Sequence, residues 1–237
     1  MTTKKLFMES VAIVAVAAGL LVPAMAMAQE GPVMLKATQT AGKIEPMAVD
    51  APSWKTVPAR EIVLDTAPSV HEAISGEAAI KRIKVQVARN EDGIFFRLQW
   101  KDKTAETKLR KLDGFLDGVA IQFAVDRDRA TSPIMGGEGK RVNIWHWSAA
   151  ANKAQNLSAD GFGTLTVLAM QDVTATGKYR NGTWTVIFHR PLKSTETQAV
   201  NLEGTGECPV AFAVWDGANQ ERDGLKAVNA EWQTLMF

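Results

Sequence analysis

Alternation of apolar and polar positions with a period of two dominates this chain, and it predicts half-buried strands. Ile80 to Arg89 alternates throughout, Asn90-Glu91-Asp92-Gly93 supplies turn chemistry, and Ile94 to Trp100 returns as the second arm of a hairpin. Gly118 to Val125 is another such run, ending at the charged turn Asp126-Arg127-Asp128-Arg129, and Arg141 to Trp147 alternates again. Asp160-Gly161-Phe162-Gly163 marks a turn before Thr164 to Met170. Gly177 to Gly182 opens onto Thr183 to Arg190, and Val210 to Trp215 is the last clear strand. Helical periodicity shows only over Thr104 to Leu112. Many short strands with turns between them predict a mainly β fold, an antiparallel β-sandwich with a few short helices in its connections.

The ends refine this picture. Lys4 and Lys5 precede an apolar run from Val11 to Val22, which is short for a membrane span, and Ala26-Met27-Ala28 supplies small residues before Gln29. Residues 1–28 therefore read as a secretory signal peptide. No arginine pair precedes the run, so export by the general secretion route to the periplasm is expected, with no membrane segment after cleavage. Residues 29–46 read as a flexible or partner-contacting lead. Residues 47–237 read as one domain, near whose start Trp54 could plug one end of a core.

Lys and Arg number 27 against 26 Asp and Glu, and no basic tract appears, which argues against nucleic acid as a partner. Cys208 is the single cysteine. That excludes an internal disulfide, a four-cysteine iron–sulfur site and a Cys-x-x-Cys-His haem attachment, so any haem would be held non-covalently. Cys208 itself reads as a small buried residue beside a strand.

Candidate chemistry is sparse. No Gly-x-Ser-x-Gly, Walker loop, His-Glu-x-x-His or Rossmann glycine pattern is present. His71, His146 and His189 are scattered, and a structural or solvated role accounts for each. Met135 stands out within Ser132-Pro133-Ile134-Met135-Gly136-Gly137, where a loop between proline and glycines presents a thioether, a recognised axial ligand of haem iron. Its bland alternative is a methionine filling a gap at a sandwich rim. His146, near Met135 in sequence, is a rival ligand. Lys226 lies in a second segment running from Phe212-Ala213-Val214-Trp215-Asp216-Gly217 to Trp232. Its amine must lose a proton to bind a metal, against a reference pKa of about 10.4, so an ordinary solvated lysine is the competing reading. The alternating pair Trp145 and Trp147 also suggests a stacking platform, as in a secreted carbohydrate-binding module.

The order of these motifs carries a resemblance. Asp50 to Trp54, Leu98-Gln99-Trp100-Lys101-Asp102, Pro133-Ile134-Met135-Gly136, Trp145-His146-Trp147, Trp184-Thr185-Val186, Arg190-Pro191-Leu192 and Ala211 through Trp232 resemble the haem b-binding gamma subunits of type II dimethyl sulfoxide reductase family molybdoenzymes. That group includes chlorate reductase, selenate reductase, dimethyl sulfide dehydrogenase and ethylbenzene dehydrogenase. The resemblance implies a β-sandwich carrying one haem b with Met135 and Lys226 as axial ligands; Lys193 and Lys140 are nearby alternatives outside the matching segment. It implies a non-catalytic electron-transfer subunit in a heterotrimer, with a molybdopterin-containing alpha subunit and an iron–sulfur beta subunit. A soluble periplasmic c-type cytochrome is the implied exchange partner, and an oxyanion reductase of chlorate or selenate type the favoured parent. Tryptophan-rich strands would line the macrocycle, and Lys140 or Arg141 could meet its propionates.

Overall fold

The alternation is realised as two sheets that share one core between their inner faces. The structure, a computed structural model, describes residues 31–40, 48–69, 71–72, 74–109 and 114–237. Strands are numbered in chain order. One sheet holds nine: β1 (Met34–Lys36), β4 (Asp65–Thr66), β7 (Gly118–Ala124), β8 (Val142–Ser148), β9 (Lys153–Ala159), β10 (Thr166–Val167), β13 (Glu207–Trp215), β14 (Ala227–Val228) and β15 (Gln233–Met236). Its path runs β1-β15-β13-β7-β8-β9-β10, with β14 also on β13 and β4 on β14. The other holds six: β2 (Thr38–Gln39), β3 (Ala59–Val63), β5 (Arg82–Asn90), β6 (Gly93–Lys101), β11 (Thr174–Tyr179) and β12 (Thr183–Arg190), ordered β11-β12-β6-β5-β2 with β3 also on β5. This is the expected β-sandwich.

Period two decides which residues face the core. Val119, Ile121 and Phe123 of β7, Trp145 and Trp147 of β8, and Val210, Phe212 and Val214 of β13 point inward. They meet Ile83, Val85 and Val87 of β5, Phe96, Leu98 and Trp100 of β6, and Trp184, Val186 and Phe188 of β12. Trp147 packs edge-on against Trp184 with centroids 5.1 Å apart, and Trp145 lies 4.7 Å from Phe123. Both Trp145 and Trp147 are 0% exposed, so the stacking platform is not available. Burial of apolar area drives them inward, at about 25 cal/mol per Å².

The outer faces differ. On the six-stranded sheet, the 3-10 turn Pro52–Thr56 seats Trp54 against Ala88, Phe95 and Ile187. Gln86 Nε2 donates to the carbonyls of Trp54 and Val57, each at 2.7 Å, and holds that lid. Trp54 thus plugs the outside of one sheet instead of an end of the core. The nine-stranded sheet leaves its outer face partly open, and the candidate site lies there.

Several expectations need correction. Within the expected lead, β1 pairs parallel to β15 and β2 parallel to β5, so residues 34–39 join both sheets; Leu35 inserts into the core, which explains their order. The remainder of that lead over 41–47, and the expected signal peptide, lie outside the described residues. No helix forms over the described part of 104–112; Thr104 N donates to Asp102 Oδ1 at 3.1 Å and Glu106 N to Asp117 Oδ2 at 2.8 Å, which ties this stretch as a loop to the residues just before β7. The strand expected over Thr164 to Met170 shrinks to β10. The turn expected at Gly177 to Gly182 narrows to Asn181-Gly182, both at positive φ, while β11 continues through Tyr179.

Candidate functional site

Small side chains at alternate positions make a flat floor on the outer face of the nine-stranded sheet. Ala120 faces Ala213 on one side and His146 on the other, while Gly118 pairs with Trp215 and Ser148. Ala211 continues the floor opposite Gln122. A Cβ on Gly118 would come within 3.3 Å of the Trp147 carbonyl and 3.4 Å of His146 Nε2, so a side chain there fits only if its neighbours give by a few tenths of an ångström. Over the Gly118 end of this floor opens a cleft of about 700 Å³, within the range of roughly 300–1,000 Å³ usual for cofactor sites, while Ala120, Ala211 and Ala213 line a small cavity beside it. Ile144, Leu157, Phe162, Leu165, Val167 and Trp215 give it an apolar lining. Phe162, Leu165 and Val167 are 54–60% exposed, an uncovered rim of large apolar side chains.

Met135 reaches the cleft from the loop between β7 and β8. Ser132 Oγ accepts from Ile134 N at 3.1 Å, Gln122 Nε2 donates to the Pro133 carbonyl at 2.8 Å, and Gly161 N donates to the Met135 carbonyl at 2.9 Å. Met135 itself sits at φ 63°, a left-handed conformation uncommon for a residue with a Cβ. Gly136 follows at φ 73°, and a Cβ there would meet the Lys140 carbonyl at 2.5 Å. The glycine is therefore what lets this loop close while the methionine packs against Ala120, Ile144 and Leu157.

Lys226 enters from the segment immediately before β14. The β13–β14 register, Val214 opposite Ala227, places Lys226 beside Trp215. Its Nζ lies 5.0 Å from the Trp215 ring centroid and donates to the Asp223 carbonyl at 3.2 Å. Trp215 Nε1 donates to that same carbonyl at 3.3 Å, so one backbone oxygen positions both groups. Burial lowers the Lys226 amine from 10.5 to about 8, against a smaller opposing effect of Asp223. Behind it, Asp216 caps the 3-10 turn Gly217–Asn219, and buried Glu221 accepts from Asp216 N at 3.1 Å and Ala79 N at 2.7 Å.

Met135 and Lys226 line both this cleft and a small adjoining cavity of about 40 Å³, together with Ile144 and Trp215. His146 lies in the same cleft, edge-on to Trp215 at 5.4 Å. Burial, and then the Lys226 charge, lower its imidazole to about 4, so it is neutral at pH 7. The other candidates lie elsewhere. Lys140 pairs with Asp128 at 2.5 Å and Asp126 at 3.7 Å, and Arg141 with Asp160 at 3.2 Å; neither lines the cleft, and neither does exposed Lys193. His189 stacks on Phe95 at 4.5 Å, on the second sheet. Cys208 is fully buried in β13, and burial pushes its thiol up to about 12. Of the tryptophans, Trp215 lines the cleft, whereas Trp145 and Trp147 belong to the core. The small floor was not singled out from sequence; its signal was the alternation Gly118-x-Ala120 and Ala211-x-Ala213 within otherwise bulky strands.

A soft thioether and a low-pKa amine thus share one cleft, and comparison with known proteins places the chain that carries them. The profile of the family described as ethylbenzene dehydrogenase matches residues 51–168 and 164–227. The chain belongs to that family. It is 42% identical to chlorate reductase subunit gamma of Ideonella dechloratans over 184 residues, 78% of this chain and 77% of that one. It is 36% identical to dimethylsulfide dehydrogenase subunit gamma of Rhodovulum sulfidophilum, over 76% of this chain and 71% of the relative. ORF7 of Haloferax mediterranei, provisionally named a respiratory nitrate reductase heme subunit, is 33% identical over 81% of this chain and 69% of its own. These relatives bear out the resemblance to gamma subunits of the dimethyl sulfoxide reductase family. A solved structure from Bacteroides uniformis, described as a candidate carbohydrate-binding protein, covers 87% of this ethylbenzene dehydrogenase family member and 99% of itself, with a TM-score of 0.54 and 8% identity. That likeness concerns the fold alone.

Proposed function

We propose that this chain is a non-catalytic, periplasmic electron-transfer subunit that carries one haem b, with Met135 and Lys226 as its axial ligands. The observation that carries this reading is the convergence of the two side chains on one apolar cleft from segments 91 positions apart in the chain. The residues present fit the group. Gly118 leaves the sheet open beneath the cleft, Ile144, Leu157 and Trp215 give it apolar walls, the exposed rim of Phe162, Leu165 and Val167 gains cover, and the amine is already depressed to about 8. At pH 7 such an amine is neutral in roughly one molecule in ten, against fewer than one in a thousand at its ordinary pKa.

Haem b, when bound, supplies a one-electron iron couple whose potential its axial ligands tune. Met135 offers Sδ from a loop fixed by three hydrogen bonds, so little conformational freedom is lost on ligation. Lys226 releases its proton from Nζ, and Trp215 and the Asp223 carbonyl hold the amine in place. A thioether and a neutral amine bring no negative charge, which favours the reduced ion and a high potential. Relatives that are gamma subunits support alpha and beta partners; we assign molybdopterin to the first and iron–sulfur clusters to the second, and add exchange with a soluble c-type cytochrome after export by the general secretion route. Identity of 42% to a chlorate reductase subunit against 36% to a dimethylsulfide dehydrogenase subunit favours an oxyanion reductase of chlorate or selenate type.

Purification from the cells that make it tests this reading. The chain is expected to copurify with two larger subunits, one containing molybdenum, and to show a Soret band with six-coordinate low-spin features on reduction. Met135→Ala should lower the potential or leave five-coordinate haem, whereas His146→Ala should leave the low-spin spectrum unchanged. A colourless, folded chain would sink the proposal, and loss of the low-spin signal in His146→Ala alone would move the ligand to His146.

A further inference from the structure

The connection from β6 to β7 gathers three carboxylates, of which Asp117 also borders the cleft while Asp102 and Glu106 do not. One oxygen each from Asp102, Glu106 and Asp117 lies within 4.8 Å of the others. Asp117 is fully buried and engaged on both oxygens: Oδ1 accepts from Gly217 N at 2.9 Å, and Oδ2 from Glu106 N at 2.8 Å and Trp184 Nε1 at 2.9 Å. Asp102 differs. It is only 5% exposed, its Oδ1 accepts from Thr104 N, and its Oδ2 is buried with no hydrogen-bond partner. A buried carboxylate oxygen with nothing to accept is strongly unfavourable, and two neighbouring carboxylates make it more so. No ion pair between described residues includes any of the three.

We infer that Asp102, Glu106 and Asp117 bind one divalent cation of the calcium class. Hard carboxylate oxygens, with no imidazole or thiolate among them, select against zinc, copper and iron. Calcium suits the site better than magnesium. Asp117 is pinned by three N–H donors and Asp102 by a fourth, so the oxygens cannot rearrange into the near-ideal octahedron that magnesium demands. Two calcium–oxygen bonds end to end span about 4.6–5.2 Å, in keeping with the spread of the ligand atoms. Glu106 opens onto a cavity of about 450 Å³ lined also by Thr104, Gly217 and Ala218, which provides an entry path and room for water to complete the shell. The bound ion would fasten the β6–β7 connection to the Gly217–Asn219 turn through Asp117. Residues 115–118 form one end of the cleft, so the ion would also brace that wall.

The test uses the purified full chain and inorganic ions, with readouts that do not depend on haem. Terbium(III) occupies calcium-type oxygen sites and luminesces when a nearby indole absorbs; Trp184, bonded to Asp117, is that indole. Terbium luminescence is expected to saturate and to be displaced by calcium, and calcium should raise the unfolding temperature above that in chelator. Glu106→Gln, at a partly exposed position that tolerates change, should lower calcium affinity at least tenfold; Asp102→Asn should abolish it or fail to fold. The inference is overturned if calcium changes neither luminescence nor unfolding temperature. An unfolding temperature that instead falls as pH rises through 7 would show carboxylates sharing a proton, and an equal response to magnesium would overturn the calcium assignment.

Discussion

Lys226→Ala is expected to weaken haem binding at least 100-fold and to remove its pH dependence. Loss of an outer-shell partner alone typically costs roughly 10–100-fold in metal affinity, and loss of a ligand should exceed that. The pH argument follows from the amine. Ligation needs the neutral form, so with a pKa of about 8 the affinity of the wild type should rise nearly tenfold per pH unit up to pH 8 and then level off. His146 cannot supply this slope, because burial and the Lys226 charge hold it near 4, already neutral across the range. The apoprotein carries a linked signature. Its folded amine titrates below the unfolded value of 10.5, so between pH 8 and 10.5 the unfolded chain binds more protons, and stability rises with pH through that window. Haem titrations of wild type and variant at pH 6 to 9 decide the matter. A variant that binds with wild-type affinity and an unchanged low-spin spectrum would remove Lys226 from the site.

What could be read in sequence follows from where polarity and sidedness agree. β5, β6, β7, β8 and β12 alternate strongly because one face of each enters the common core, and their bounds lie within a few residues of expectation. β9 was not seen. Its Asn156 and Ser158 look like loop residues, yet both are buried, and Asn156 accepts from Asn143 Nδ2 at 2.7 Å and donates to Asp172 Oδ1 at 3.0 Å. Polar groups satisfied in pairs defeat a pattern built on hydrophobicity. β1 and β2 were missed because parallel pairing with β15 and β5 joins residues about 200 and 50 positions apart, which no local window registers. At the site, the loop of Met135 was legible through Pro133 and Gly136. Lys226 stood out only through the family resemblance and not from its local residues, since its depressed pKa arises from burial beside Trp215 that only the fold creates. The carboxylate cluster was invisible for the same reason, its members being spread over 102–117 with no motif.

Gly177→Val is expected to destabilise the protein by about 3 kcal/mol or more, the upper end of what overpacking a core costs. Gly177 lies in β11, and a Cβ there would come within 2.2 Å of Trp147 Cζ2 and 2.8 Å of Cε2. The indole has nowhere to retreat. Its Nε1 donates to Asn152 Oδ1 at 3.0 Å, the same oxygen that accepts from Gly177 N at 2.6 Å, and its ring is boxed by Trp184 and Trp100. Relief therefore has to come from the backbone of β8. That strand alternates Trp147 into the core with His146 into the cleft, so a shift at one face displaces the other. The variant should consequently lose haem affinity as well as stability, although Gly177 does not line the cleft. A double-mutant cycle separates the clash from any other effect of the valine. Combined with Trp147→Phe, which vacates the space, Gly177→Val should recover much of its stability in urea unfolding, relative to Trp147→Phe alone. If the valine costs as much beside phenylalanine as beside tryptophan, the coupling across β8 is not what makes glycine necessary.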